Sequence, residues 1–147
     1  AWMFAGKPDP HFVRDLFELR GIIEPAAAAL AAQRRTPEQV AAMAEALAGM
    51  ASHGLATPEG QLADRTFHRV ILAASGNEPL ASLSSSVGAA VHWTTSYKQR
   101  GSAMPRDPYV DHATVFEAIA AGNAKKSAAA MSELINHALE DMTQAQG

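Results

Sequence analysis

The sequence predicts an all-α fold, an antiparallel bundle of about six helices. Alanine is abundant and β-branched residues are sparse, which favours helices over strands. Apolar residues recur at the 3.6-residue spacing of a helix, and no stretch alternates polar and apolar residues over the length of a strand. Helices joined by short connections pack mostly antiparallel. With 147 residues, 48% of them hydrophobic, the chain is long enough for one domain with a buried core.

Composition excludes several classes of function. The formal net charge is −3, whereas a nucleic-acid surface needs a clustered basic face, so any DNA contact has to come from another part of the protein. The lack of cysteine excludes disulfides and thiolate metal sites and fits a reducing compartment. No apolar run reaches the roughly 18–20 residues that span a bilayer, and the first residues do not resemble a signal peptide. We therefore expect a cytoplasmic protein.

Capping signals define the helices of the first half. The apolar residues of 11–33 share one arc of a first helix, namely Leu16, Leu19, Ile23 and Leu30. Thr36-Pro37-Glu38-Gln39 is a capping box with proline at the first helical position, and the helix that it starts ends near residues 52–54. A second Thr-Pro-Glu, at residues 57–59, starts a third helix that runs to about Ala74.

The second half repeats these signals. A fourth helix is predicted from about Pro79 to Gln99, followed by a loop over residues 101–106. Asp107-Pro108 again places a cap before a proline and begins a fifth helix, which ends at Gly122-Asn123. The last helix covers about 124–144, and its predicted inward residues are Ala128, Met131, Leu134, Ile135, Ala138 and Met142.

Polar residues on the inward faces are the candidates for function, because a bundle helix is otherwise apolar inside. Asp64 and His68 are four residues apart and therefore share one face of the third helix, beside Phe67 and Ile71. An unpaired inward carboxylate is unfavourable, and a divalent metal ligated by carboxylate oxygen and imidazole nitrogen would relieve it. The simpler alternative is an exposed Asp–His pair.

Two further histidines bear on this choice. His112 lies in the middle of an apolar arc of the fifth helix, so it also points inward, although a single inward histidine is more often a satisfied core residue than a ligand. His137, in the last helix, lies on the flank of the apolar face, and Asp141 four residues later could orient its imidazole. The alternative for His137 is a solvated residue that is hydrogen-bonded to Asp141.

Arg20 and an aromatic group are the candidates for binding a ligand. Arg20 lies at the edge of the first helix's apolar arc, where it either forms a surface i,i+4 pair with Glu24 or presents its planar guanidinium to a carboxylate ligand. Trp93, Tyr97 and Arg100 cluster at the end of the fourth helix. They either wall a pocket or belong to the core or a dimer contact.

Several segments together resemble a known family. The stretch DLFELR at 15–20, continuing to Glu24-Pro25 and to LAA at 30–32, resembles the first helix of the FCD domain. DRTFH at 64–68 followed by ASGN at 74–77 resembles the family's next segment, and His112 with AI at 118–119 and GN at 122–123 resembles a third. The FCD domain is the C-terminal effector domain of the FadR subfamily of GntR-type transcription regulators. Within it, the sequence looks most like the members that respond to sugar acids.

The resemblance implies residue roles. Asp64, His68 and His112 would ligate a divalent metal, commonly zinc or nickel, and Arg20 would reach the carboxylate of the effector. Many members place another histidine where this chain has Leu134. Either His137, one turn later, takes its place as a ligand, or effector and water oxygens complete the coordination. We favour His137 as the fourth metal ligand.

The resemblance also implies the organisation of the protein. Residues 1–11 would be the remnant of a linker and residues 12–147 the effector- and metal-binding domain, with the winged-helix DNA-binding domain absent from this chain. The expected partners are a small carboxylic acid and a second copy of the chain, with DNA reached only through the missing domain. We expect no enzymatic activity. Two alternatives remain, a small metal-dependent hydrolase, since three ligands with open positions also suit catalysis, and a metal-free helical interaction domain.

Overall fold

The computed structural model describes the backbone of residues 9–100 and 107–146 and the side chains of residues 9–93 and 107–143. Within these ranges the chain forms helices and no strand, which confirms the predicted all-α fold. Six helices are long and one is a single turn. Their bounds are α1 Pro10–Arg34, α2 Pro37–His53, α3 Pro58–Ala74, α4 Glu78–Ala81, α5 Ser84–Arg100, α6 Pro108–Ala120 and α7 Ala124–Gln146.

A polar cap followed by proline begins most of these helices. Thr36 and Gln39 form the predicted capping box, in which each side chain accepts a hydrogen bond from the other residue's backbone N–H. Thr57 accepts from the N–H of Gly60 at the start of α3, and Asp107 accepts from that of Tyr109 at the start of α6. Proline fits the first turn because its missing N–H would have no partner within the helix.

The predicted fourth helix is divided in two. Residues 78–81 form the single turn α4, and α5 begins only at Ser84. The hydroxyl of Ser82 donates to the carbonyl of Pro79 at 2.6 Å, the kind of local bond by which serine competes with a continuing helix. The long helix that the apolar pattern predicts from about Pro79 therefore begins only at Ser84, as α5.

Helix α1 is central, because it packs against α3, α6 and most extensively α7. Its buried face differs from the predicted one: Ile23 is buried as expected, but Leu16, Leu19 and Leu30 are only half-buried. The other buried residues of this helix are two apolar residues, two charged residues and four alanines, namely Val13, Phe17, Arg20, Glu24, Ala27, Ala28, Ala31 and Ala32. The alanines allow neighbouring helices to approach closely, and two charged side chains lie inside the bundle.

Helices α2, α3, α6 and α7 bury most of the residues that the sequence places on their inward faces, although Ala128 and Ala138 in α7 are only half-buried. The hydrophobic core between them includes Met43, Leu47, Met50, Phe67, Ile71, Val115, Ile119, Met131, Ile135 and Met142. Among the described residues, no helix combines the length and apolar character required to cross a membrane.

Two adjacent arginines at the end of α1 connect it to the ends of two other helices. Arg34 donates to the carbonyl of Ser75, the C-cap of α3, at 2.9 Å. Arg35 donates to the carbonyl of Ala120, the last residue of α6, at 3.0 Å and to that of Ala32 at 2.7 Å. The last carbonyls of a helix have no intrahelical partner and carry partial negative charge, so these contacts stabilise the bundle.

We predict that Arg35→Met lowers the free energy of unfolding by about 1–2 kcal/mol, because two hydrogen bonds from a charged donor are lost. In a domain of this size the melting temperature should fall by roughly 2–4 °C per kcal/mol, as thermal unfolding would show. Arg14→Met is the matched control, since Arg14 is exposed and its ion pair is with its exposed neighbour Asp15. Equal melting temperatures for the two variants would contradict the prediction.

Candidate functional site

Three polar side chains converge inside the bundle. Asp64 and His68 come from α3 and His112 from α6, and all three are at least 96% buried. The Nε2 atoms of the two histidines lie 3.3 Å apart. Oδ1 of Asp64 lies 2.9 Å from Nε2 of His112 and 3.3 Å from Nε2 of His68. The structure thus brings together the first three of the predicted metal ligands.

The other nitrogen of each imidazole points away from this cluster. Nδ1 of His112 lies 2.7 Å from the carbonyl oxygen of Pro108, and Nδ1 of His68 contacts Oε1 of Glu24. A carbonyl oxygen only accepts hydrogen bonds, so Nδ1 of His112 carries a proton. The other ring nitrogen of His112, Nε2, faces Asp64 and His68.

The spacing of the three donor atoms fits a transition-metal ion. Two ligand atoms about 2.0–2.1 Å from zinc lie roughly 2.9–3.4 Å apart when the angle between them is 90–109°. The three observed separations, from 2.9 to 3.3 Å, fall in this interval. Two imidazole nitrogens and one carboxylate oxygen are also the donor types that zinc and nickel accept. The residues present fit a divalent metal.

Behind His68 lies a buried ion pair. Nε of Arg20 donates to Oε2 of Glu24 at 2.7 Å, and both side chains are at least 97% buried. The predicted i,i+4 pair therefore exists, but its predicted surface location is wrong. Sequence reasoning also missed Glu24 as part of the site. The signal was its position on the same face of α1 as Phe17 and Ala28.

Burial and the neighbouring charges shift the pKa values of these buried groups in opposite directions. Burial favours the neutral form of Glu24, but the charges of Arg20 and His68 and hydrogen bonds from both lower its pKa from 4.5 to about 2. Burial would lower the pKa of His68, yet the charge of Glu24 and hydrogen bonds to Asp64 and Glu24 raise it from 6.5 to about 9. The pKa of Asp64 is also held well below its usual value, because His112 and then His68 outweigh burial. Both carboxylates are thus ionised at neutral pH.

A small cavity adjoins the three convergent residues. It has a volume of about 20 Å³, which is room for one water-sized occupant or an ion. Side chains from α1, α3, α6 and α7 line it, and they include both charged and apolar groups: Arg20, Leu55, Asp64, His68, Asp111, His112, Leu134, Ala138 and Asp141. Arg20 therefore reaches the same space as the two histidines, as predicted for a residue that binds a carboxylate there.

His137 is placed apart from the three convergent residues. Its Nδ1 lies 3.0 and 3.1 Å from the two carboxylate oxygens of Asp111, and its Nε2 lies 3.6 Å from Glu133. Its side chain is 26% exposed. Asp141, which the sequence analysis paired with His137, is buried and lines the cavity.

The predicted aromatic group lies partly outside the described residues. Trp93 is half-buried and packs edge-on against Phe12, with ring centroids 5.7 Å apart. The described side chains that line the cavity do not include that of Trp93. The side chains of Tyr97 and Arg100 fall outside the described part of the chain, so their predicted role in ligand binding stays a prediction.

Comparison with known proteins gives a consistent result. Residues 15–137 match the FCD domain. The chain is 31% identical over 128 residues to the HTH-type transcriptional regulator LutR of Bacillus subtilis (strain 168), an alignment that covers 81% of this chain and 57% of LutR. The chain thus spans a little over half the length of this relative.

Solved structures share the fold. GntR of Streptococcus agalactiae superimposes with a TM-score of 0.74 at 26% identity, over 88% of this chain and 58% of the other. McbR/YncC of E. coli superimposes with a TM-score of 0.79 at 17% identity, over 94% of this chain and 67% of the other. A GntR-family transcriptional regulator from Pseudomonas syringae pv. tomato str. DC3000 superimposes with a TM-score of 0.80 at 16% identity, over 94% of this chain and 58% of the other. The chain therefore belongs to the FCD-domain family, the effector-binding domains of GntR-type transcription regulators.

Proposed function

We propose that this chain is the sensor domain of a transcription regulator, in which a divalent metal anchors a small carboxylic acid. Asp64, His68 and His112 hold the metal, with zinc as the first choice and nickel as the second. The observation that carries the proposal is the 3.3 Å approach of two buried imidazole Nε2 atoms beside one carboxylate oxygen. A divalent cation at that point would be ligated by the two imidazole nitrogens and the carboxylate oxygen together.

The protein's own residues prepare the site for both ligands. The Nδ1 contacts of His68 and His112 hold the two rings with Nε2 facing Asp64. A bound metal supplies an electrophilic centre to which a carboxylate can coordinate. Arg20 lies on the wall of the same cavity and offers a planar cation that matches a carboxylate.

We predict that Asp64→Ala and His112→Ala each abolish stoichiometric metal binding. Each change removes one of three protein ligands, and both should lower the melting temperature of the metal-loaded protein because binding stabilises the folded state. Elemental analysis after purification and dialysis measures the metal content. Metal retained at the parent level in both variants would refute the proposed site.

His137→Ala serves as the matched histidine variant. His137 contacts Asp111 and does not belong to the group formed by Asp64, His68 and His112. We therefore expect the His137→Ala protein to keep its metal. Loss of metal in His137→Ala would show that His137 is the fourth ligand, as the sequence analysis favoured. A parent protein that takes up no metal would favour the metal-free interaction domain.

The proposed effector is a 2-hydroxy acid. Its carboxylate and 2-hydroxyl can chelate the metal together, while the guanidinium of Arg20 binds a carboxylate oxygen. The sequence analysis favoured a sugar acid, because the chain looks most like the family members that respond to sugar acids. A cavity of about 20 Å³ cannot enclose a five- or six-carbon acid, so binding such an acid requires the surrounding helices to separate.

We predict that 2-hydroxy acids, including five- or six-carbon aldonic or uronic acids, stabilise the protein more than acetate does. The effect should require metal. Arg20→Gln should weaken binding by about 1.5–3 kcal/mol, roughly 10- to 150-fold, because a charged hydrogen-bond donor is lost. Titration calorimetry with glycolate, gluconate, galacturonate and acetate, with and without chelator, measures both effects.

Arg14→Gln is the control for this experiment, since Arg14 is exposed and remote from the cavity. It should bind each acid as the parent does. If hydroxy acids give no metal-dependent heat, or if Arg20→Gln binds them as tightly as the parent, the assignment of the effector is wrong.

Regulation of transcription requires parts beyond this chain. We propose that residues 1–11 continue from a winged-helix domain, that two copies of residues 12–147 associate, and that the acid shifts the arrangement of the DNA-binding pair. The chain alone should then be a dimer without sequence-specific affinity for DNA. Light scattering at micromolar concentration and DNA binding at physiological salt test these two points. A strict monomer would contradict the first, and sub-micromolar, sequence-dependent binding the second.

A metal-dependent hydrolase is the alternative function. Asp111 and Asp141 line the cavity and give it further carboxylates besides Asp64. The name of the relative LutR, a transcriptional regulator, argues against the hydrolase. Turnover of ester, amide or phosphoester substrates by the zinc-loaded protein, lost in Asp64→Ala, would favour the hydrolase over the sensor.

A further inference from the structure

The proposed function makes use of Arg20 and His68 but leaves the residue between them without a role. Glu24 is fully buried, and its two carboxylate oxygens contact different partners. Oε2 accepts from Nε of Arg20 at 2.7 Å, and Oε1 contacts Nδ1 of His68. Removing a charge from water is costly, so an ionised carboxylate at this depth requires an explanation.

We propose that Glu24 is a positioning residue that orients His68 for the metal and Arg20 for the effector at the same time. The inference rests on the proposed function, because it presupposes that His68 is a metal ligand. By accepting a hydrogen bond from Nδ1–H of His68, Glu24 leaves Nε2 to face Asp64 and His112. An acceptor on the second nitrogen fixes the tautomer and the ring orientation of a ligating histidine.

Comparison of the two histidines shows what the negative charge adds. His112 has its Nδ1 held by the backbone carbonyl of Pro108 at 2.7 Å, which is a neutral acceptor. A neutral acceptor is therefore sufficient to orient an imidazole in this site. Glu24 differs in that it must also accept from the buried guanidinium of Arg20, and a carboxylate can accept on both oxygens.

An amide cannot replace Glu24 in both contacts. A glutamine side chain has one accepting oxygen and one donating NH₂ group, so one of the two donors, Nδ1–H of His68 or Nε–H of Arg20, would face another donor. The change also removes the buried charge that balances the guanidinium. Glu24→Gln should therefore disturb both binding partners while keeping nearly the same volume.

The first test is the zinc affinity of Glu24→Gln, measured by competition with a chromophoric chelator. We expect the affinity to fall by roughly 10- to 100-fold, the usual effect of removing the acceptor behind a ligating histidine. At saturating zinc, glycolate should also bind roughly tenfold more weakly, since Arg20 loses a charge-assisted hydrogen bond. Glu133→Gln is the control, because the side chain of Glu133 is exposed and lies 3.6 Å from His137, outside the group formed by Asp64, His68 and His112.

A second measurement on the unmutated protein does not depend on a variant that folds. In the zinc-loaded protein with ¹⁵N-labelled histidine, the two ring nitrogens of His68 should show Nδ1 protonated and Nε2 bound to metal. Zinc bound through Nδ1, or a Glu24→Gln variant with parental affinity for both zinc and glycolate, would overturn the inference. A parent that binds no zinc would overturn the proposed function itself, so the two failures are distinguishable.

Discussion

Glu24 lies in the middle of the bundle with both carboxylate oxygens engaged, and a buried ion is tolerable only while its partners stay in place. Arg20 balances its charge from one turn earlier in α1, while His68 reaches it from α3. His68 in turn contacts Asp64 and His112, so the contacts extend from α1 through α3 to α6. A shift of any one of these helices would leave a buried polar group unsatisfied, which costs about 1–3 kcal/mol or more. The ionic network therefore fixes the relative positions of three helices.

Local features of the sequence allow this network to form. The alanines on the inner face of α1 let the neighbouring helices approach, so short and medium-length side chains can meet across the interface. At the start of α6, Asp107 caps the helix and Pro108 occupies its first position. The carbonyl of that proline then accepts from Nδ1 of His112 one turn later. The same cap-and-proline signal that begins the helix thus also sets the orientation of a proposed metal ligand.

The sequence was most informative where a signal is local. Helix starts depend on caps and prolines within four residues, and the inward direction of Asp64 follows from the helical period, so both could be predicted. The burial of Glu24 has a weaker signal, its place on the same face as Phe17 and Ala28, because an i,i+4 pair with arginine has the same pattern on the surface as in the core. His137 has Asp111 as a partner from α6. A contact between helices distant in sequence has no local signature, so Asp111 could not be predicted as a partner of His137.

The size of the cavity connects binding with regulation. About 20 Å³ accommodates an ion or a water-sized group but not the carbon skeleton of an acid. The walls come from four helices held by the ionic network and by the contact of Asp111 with His137, so entry of an acid has to move at least one of them. A ligand that fits only after such a movement binds one arrangement of the helices in preference to another. That difference in affinity is what a ligand needs in order to shift a population of conformations. Under the proposed function, a small cavity around a charged anchor suits a sensor, because an acid larger than the cavity binds only by changing the packing of the bundle.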